Sequence, residues 1–249
     1  MAEYRWNTSP FAEGYDAAAP QIHPYYTAVQ DEMIRLLVAQ AGPAEVGDFH
    51  VVDLGAGSGR LVEKILTAIP QATATLVDQS EPFLAIAERR LAPFVARVNF
   101  VVSRLEGDWD KKLPKQAAVI VSTSAIHHLE PHEKNSLYQA VFNALPAGGL
   151  FLNGDEVRPE SDAEYKATME RWASFMRAGM ASGAIPAGFH PAANGWIERN
   201  VTRFGEPKKN GDDCHETGAA QLDYFRAAGF SLADIPWSRE LWSVLRGVK

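Results

Sequence analysis

A single cysteine, Cys214, stands among 249 residues, so an internal disulfide and a cysteine-rich zinc site are both excluded, and a reducing, cytoplasmic compartment is expected. Basic excess is also missing: 24 Lys and Arg against 31 Asp and Glu give a formal charge of −7. Broad electrostatic capture of nucleic acid or an anionic membrane needs a basic face that this balance does not supply. Lys208 and Lys209 form at most a local patch. No uninterrupted apolar run reaches membrane-spanning length, and the start, "MAEYRWNTSPFAEGYD", has no basic segment followed by an apolar stretch. Neither export nor membrane anchoring is expected. Internal repeats and low-complexity linkers are absent too.

What is present is an alternation of strand-length apolar runs and helix-period segments, the pattern of a parallel sheet covered by helices. "HVVDL" is followed by "RLVEKILTAI", "ATLVD" by "SEPFLAIAERRLAPFV", "VNFVV" by a short connection, "AAVIVS" by "EPHEKNSLYQAVFNAL", and "LFLNG" by a long polar and aromatic region. Upstream, Tyr26, Val29, Met33, Leu36 and Leu37 share one helical face that Gly42-Pro43 should end. This is a helical preface packed on the core. Near the end, "AQLDYFRAAGF" reads as a helix, and "SLADIPW" and "LWSVLRGVK" as a hairpin around a tight "SRE".

Between the first strand and first helix lies "VVDLGAGSGR". Three alternating glycines give up backbone entropy that an ordinary turn keeps, so something must approach this backbone closely. Open α/β sheets bind ligands at such turns, outside the carboxyl ends of their strands. A dinucleotide fingerprint, G-x-G-x-x-G from Gly55 and Gly57, requires a third glycine where Arg60 stands. A glycine-lined floor with a nearby carboxylate, Asp53, better suits a ligand bearing an ammonium, a carboxylate and a nucleoside. Asp78 ends the second strand 23 residues beyond Gly55, where its side chain can accept both ribose hydroxyl protons.

Taken together, "VVDLGAGSGR", "LVDQS", "AAVIVSTSAIHHL", "LPAGGLFLNGD" and "FRAAGF" with the terminal hairpin resemble, in order over residues 46 to 249, the class I S-adenosylmethionine-dependent methyltransferases. The resemblance implies a Rossmann-like, doubly wound α/β fold with a seven-stranded sheet of order 3-2-1-4-5-7-6, strand 7 antiparallel, and S-adenosyl-L-methionine as cofactor. It implies one methyltransferase domain over 1–249: a preface at 1–45, a cofactor-binding core at 46–155, a lid or substrate insertion at 156–212, and the last helix and hairpin at 213–249. By the same resemblance Asp53, Gly55, Ala56, Gly57 and Ser58 surround the methionine moiety, Asp78 takes the ribose, and Gln79 and Ser80 flank the adenine. Ser122 joins the cofactor set from the fourth strand. The acid that commonly faces the adenine amine after the third strand is replaced by Ser103, Arg104 and Leu105, which leaves backbone groups, Glu106 or Asp108 for that duty. A looser resemblance to carboxy-S-adenosylmethionine synthase places Pro24 and Tyr26 at the cofactor, although the synthase's paired arginines are not evident in "EPKKNGDDCHETGAAQ".

The reaction so implied is in-line methyl transfer to a small-molecule acceptor, with the protein aligning the nucleophile, excluding water and removing a proton where one is carried. Two alternatives stand beside it: an enzyme of tRNA wobble-uridine modification, which the acidic balance disfavours, and a non-catalytic S-adenosylmethionine-binding module. His127 and His128, after the fourth strand, are the first base candidates; a structural role for the pair is the competing reading. His23 in "IHPYY" is the second candidate and a substrate contact. A metal is not expected, because adjacent histidines in or after a strand point to opposite sides and no H-x3-H or H-E-x-x-H spacing occurs. Asp155 and Glu156 either meet substrate or end the strand facing solvent.

Substrate choice is assigned to the insertion. Ser161 and Glu164 form a capping-box pattern, and Tyr165, Met169, Trp172, Met176 and Met180 share a face of the helix it starts. Trp172 and Met176 are read as pocket roof as well as core. "GAIPAGFHPAANGW", with Phe189, His190 and Trp196, has the composition of a mobile lid loop, and Trp196 is assigned to substrate. Arg171, Arg177, Arg199 and Arg203 suit an anionic small molecule or, equally, solvated helix faces. A second copy of the chain is admitted as a partner, in a homodimer.

Overall fold

A computed structural model of the protein describes residues 8–41, 49–207 and 212–249. The Gly42-Pro43 helix stop and the Lys208–Lys209 patch lie outside the described residues.

Seven strands form one sheet: β1 (His50–Leu54), β2 (Thr73–Asp78), β3 (Val98–Val102), β4 (Val119–Thr123), β5 (Leu150–Glu156), β6 (Leu232–Arg239) and β7 (Trp242–Val248). Their order is β3-β2-β1-β4-β5-β7-β6. The first five are parallel, and β7 inserts antiparallel to both β5 and β6. Every residue of β1 is buried, His50 and Asp53 included, as for a central parallel strand covered on both faces. The hairpin turn is tighter than "SRE": two residues, Glu240 and Leu241, connect the strands, with Glu240 at φ 54°.

Strand residues feed two cores in alternation, as the period of two requires. Val51, Ala74, Leu76, Val121 and Leu152 face one side; Val52, Leu54, Val77, Ile120 and Phe151 face the other. The first side is covered by α2 (Tyr26–Ala41), α3 (Arg60–Ala68), α4 (Glu81–Arg90) and α6 (Asp162–Ala181). The second is covered by α5 (Pro131–Ala144) and α8 (Gly218–Ala228). Two further helices are α1 (Ser9–Ile22) and α7 (His190–Ile197).

Residues 9–22, with Gly14 and two prolines, form α1: Pro10 lies in the first turn, where its missing N–H costs nothing, and Pro20 falls in the last. Two expectations need correction. The supposed lid loop is instead a short 3-10 turn, Ala187–Phe189, running into α7, with Ile185, Phe189, Ala193 and Ile197 buried. Small residues there serve close packing. Ser161 does cap α6, accepting from Glu164 N at 3.2 Å, but the Glu164 carboxylate turns to Arg171, so the reciprocal half of the box is not made.

Candidate active site

The glycine loop is shaped by three different demands. Gly55, Gly57 and Gly59 all have positive φ, at 71°, 52° and 75°. A Cβ at Gly55 would meet Ala125 Cβ at 2.5 Å, and one at Gly59 would press on Ala87, Leu91 and Leu76 at 3.1–3.3 Å. At Gly57 a Cβ would meet nothing within 4 Å. The outer glycines therefore allow the loop to lie against β4's exit and α4, while the middle one keeps a space open. Asp78 fastens this loop: its carboxylate accepts from Gly57 N and Ser80 N, each at 2.8 Å. Gly55 N and Ala56 N donate to Val77 O.

Asp53 lies beneath, buried, with Oδ1 lacking a hydrogen-bond partner. Burial first, and the neighbouring Asp78 second, push its carboxyl up to about 8. Open space over Gly57, a partly exposed acid at Asp78 and an orphaned buried acceptor at Asp53 fit a ligand carrying a ribose and an ammonium.

The remaining cofactor candidates divide. Leu105 packs beside the loop, 3.8 Å from the place of a Gly55 Cβ. Ser103 N donates to Asp78 O at 3.0 Å, and its hydroxyl receives Lys112. Gln79 is half-buried at the end of β2, and Tyr26 is half-buried with its ring stacked on His23 at 6.0 Å. Ser58, Arg104 and Ser122 are otherwise engaged. Ser58 Oγ donates to Asp16 on α1 at 2.5 Å, Arg104 is exposed and paired with Glu106, and the buried Ser122 hydroxyl donates to Leu54 O at 2.7 Å. Asp16 also holds Arg60 and Arg90, so α1 straps across the glycine loop.

Immediately beyond Ala125, residues Ile126–His128 make a 3-10 turn that opens into a cavity of about 80 Å³. Its walls include Phe11, Tyr15 and His23 from the preface, His127 and His128 from the turn, Glu156 from the end of β5, Trp172 and Met176 from α6, Phe189 and Trp196 from the α7 region, and Asp213. Thus all four expected substrate residues and both expected bases line one space. Trp172 and Trp196 touch with ring centroids 4.5 Å apart, and Trp172 Nε1 donates to Ile22 O.

One end of the cavity is polar. Asp155 and Glu156 are each 1% exposed, so neither faces solvent. Asp155 accepts from His127 N at 2.9 Å and pairs with His127 Nδ1 at 2.6 Å. His127 Nε2 then lies 4.0 Å from Glu156 Oε2, and His215 Nε2 2.6 Å from the same oxygen. His128 Nδ1 is 3.2 Å from Asp213 Oδ1, while Trp196 Nε1 donates to Asp213 Oδ2 at 3.0 Å. His23 bridges Tyr15 OH, at 3.0 Å from Nε2, and Glu156, at 3.7 Å from Nδ1.

Charges here are mutually adjusted. Burial would lower the His127 ring, but Glu156 and Asp155 outweigh it and hold the ring up at about 9. Burial works against Asp213 as well, yet His128 keeps that carboxyl well below its usual range. For His23 burial wins and depresses the ring to about 4 despite Glu156. The geometric ground for expecting no metal fails at this point: on a 3-10 turn the adjacent imidazoles do not alternate, and His127 and His128 lie with ring centroids 4.1 Å apart.

Sequence reasoning missed Tyr15, Asp213 and His215. The segment "DDCHE" held the signal, three acids and a histidine around the only cysteine, but no periodic element marked where it goes. It is placed by buried Lys134, whose Nζ reaches Glu216 at 2.9 Å and also Cys214 O, and by Cys214 N donating to His127 O at 2.7 Å.

Comparison with known proteins agrees with the fold and the loop. The family model described as "Methyltransferase domain" matches residues 52–151. An uncharacterized methyltransferase of Bacillus thuringiensis (strain Al Hakam) is 26% identical over 203 residues, 81% of each chain. Among solved structures, human N-acetylserotonin methyltransferase in complex with SAM aligns at TM-score 0.65 and 14% identity, covering 98% of this chain but only 57% of that one. Magnesium protoporphyrin IX methyltransferase from Synechocystis PCC 6803, with bound SAH, aligns at 0.63 and 14% identity, covering 98% of this chain and 95% of that one. At these identities the structural likeness is one of fold. The matched domain, the relative of similar length, the 3-2-1-4-5-7-6 sheet and the glycine loop beside Asp78 agree in a methyltransferase domain over residues 52–151, set in the class I S-adenosylmethionine-dependent methyltransferase fold.

Proposed function

We propose that the protein methylates a small molecule whose reacting end enters the cavity beside the 124–128 turn. The carrying observation is contiguity: Gly55 of the cofactor floor packs on Ala125, and the next three residues enter the turn whose histidines line the cavity. S-adenosylmethionine supplies an electrophilic methyl group on a sulfonium. The chain's part is to bind, align and dehydrate. Asp53, Asp78 and the open face of Gly57 hold the cofactor from below; Trp172, Met176, Trp196 and Phe189 wall the acceptor and exclude water.

The polar end withdraws the acceptor's proton. His127 is fixed from behind by Asp155 and serves as a positioning residue, while half-buried His128, facing Asp213, meets the acceptor. A hydroxyl-bearing acceptor suits this end, with aromatic or aliphatic bulk against the tryptophans. The cavity takes the reacting end of such a molecule between the histidines and the tryptophans. The net charge of −7 supports a free small molecule in the cytosol over nucleic acid. Sedimentation or size-exclusion would report a homodimer.

Methyl-labelled S-adenosylmethionine with a panel of hydroxylated small molecules tests the reading. Transfer to an acceptor, lost in His128→Ala with cofactor binding retained, is the expected result. Cofactor binding without transfer to any extract component would favour a binding module, and transfer to tRNA would favour the modification enzyme.

A further inference from the structure

The polar end of the cavity contains more carboxylates and imidazoles than proton removal requires, and they converge. One donor atom from each of His127, His128 and Asp213 lies within 4.8 Å of the others, and the same holds for Glu156, Asp213 and His215. The two groups share Asp213 and meet again where His127 Nε2 stands 4.0 Å from Glu156. Bonds of roughly 2.0–2.2 Å around one ion separate neighbouring ligand atoms by about 3–4 Å, so modest side-chain adjustment brings these atoms onto a common centre.

The surroundings are those of a held ligand set. A metal-bound imidazole characteristically gives its other nitrogen to a carboxylate or similar acceptor, which fixes the ring and its tautomer. His127 does this through Nδ1 to Asp155, leaving Nε2 toward Glu156. His215 has Nδ1 engaged by Tyr165 OH at 2.7 Å and Nε2 toward Glu156. Trp196 Nε1 occupies one oxygen of Asp213 and leaves the other toward His128. Asp155, Glu156 and Asp213 are at most 5% exposed, and imidazoles pair with each of them. Three buried carboxylates in one place are costly to desolvate, and a divalent cation offsets that cost directly.

We infer that His127, His128, Glu156, Asp213 and His215 form a binding site for one divalent first-row transition-metal ion at the polar end of the cavity. An imidazole and carboxylate set without thiolate suits zinc, iron(II), cobalt(II) or manganese(II) over calcium or a soft ion. What the ion does rests on the methyl-transfer reading: His128 then acts through the ion instead of as a free base, and the ion would attract the acceptor's hydroxyl oxygen so that its proton leaves to solvent as the acceptor enters, near neutral pH. Where it sits does not depend on that reading.

The test uses the untagged full chain, stripped with a chelator and titrated with Co2+, with Zn2+ as competitor. The expected result is one Co2+ per chain, visible d–d bands of a nitrogen and oxygen site, and displacement by Zn2+. His128→Gln and Asp213→Asn should each weaken Co2+ by roughly tenfold or more, and Glu88→Gln, an exposed acid on α4, should not. Circular dichroism and cofactor titration on the metal-free variants separate loss of the site from loss of the fold; His128, at the half-exposed edge, is the variant least able to disturb packing. Absence of d–d bands, or Co2+ affinity unchanged in both variants, overturns the site. Cobalt bands in a protein that binds no S-adenosylmethionine uphold the site while defeating the methyl-transfer reading, and the converse overturns the site alone.

Discussion

Around Asp78 the polar contacts run through backbone: its carboxylate takes Gly57 N and Ser80 N, and the loop amides of Gly55 and Ala56 return to Val77 O. In the cavity next door they run from side chain to side chain, among residues drawn from positions 15 to 215. The contrast is what the proposed function asks of each region. A floor for a constant cofactor is made by local chain geometry, so a few glycines and one acid suffice. A pocket for a particular acceptor needs side chains from several elements, and its identity resides in their assembly.

The largest effect expected from breaking this contrast is at Gly57. Its Cβ would enter open space, so Gly57→Val should leave the sheet folded while reducing S-adenosylmethionine affinity by at least about 100-fold, about 2.7 kcal/mol, in a calorimetric titration. Gly59→Val should behave oppositely, since its Cβ would crowd Ala87, Leu91 and Leu76: the melting temperature falls first. Equal loss of affinity and stability in both variants would erase the distinction between an open and a packed glycine.

Next comes Asp78→Ala, which should weaken the cofactor by about 1.5–3 kcal/mol, the range for hydrogen bonds to a charged group. Because the same carboxylate also fastens Gly57 and Ser80, some loss of thermal stability accompanies it. Unchanged affinity in a folded variant would refute the ribose assignment.

The same contrast explains how far the sequence could be read. All seven strands and the glycine turn were legible, because each rests on a local pattern: a buried β-branched run, a period of 3.6, or a turn that only glycine makes; the strand order came with the resemblance to the class I methyltransferases. The cavity was legible in part. His23, His127, His128, Trp172, Met176 and Trp196 were found because they flank recognisable elements, and they do meet. Asp213 and His215 were not, since a buried lysine and a backbone bond to His127 place them, and neither leaves a periodic trace. Composition misled at residues 183–196, where Gly, Pro and Ala suggested a moving loop but instead permit a packed short helix.

That correction changes how the roof should be tested. Deleting the segment would remove Ile185, Phe189 and Ala193 from the core, so stability would fall whatever its role. Trp196→Phe is sharper: it keeps a ring against Trp172 and removes the N–H that orients Asp213. Turnover should fall by roughly 10-fold, about 1.4 kcal/mol, with cofactor affinity unchanged. A parallel drop in cofactor affinity would show that floor and roof are not separable.

The smallest effect, and the one that reaches beneath the floor, concerns Asp53. Its carboxyl is raised to about 8 from the ordinary value of 3.8, chiefly by burial and then by Asp78. Below the ordinary value both folded and unfolded chains hold the proton, and the group contributes nothing to pH dependence. Between the two values only the folded chain keeps it, so this site's contribution to stability declines as pH rises and levels off above about 8. Asp53→Asn, neutral at every pH and of the same shape, lacks that decline. Melting temperatures of the two proteins across this range should therefore diverge in favour of the variant, then run parallel. Saturating S-adenosylmethionine should shrink the divergence, because a bound ammonium favours the ionised carboxylate and restores a partner to Oδ1. A difference flat with pH would mean that Asp53 is ionised in the folded chain, and one insensitive to the cofactor would remove the acid from the floor.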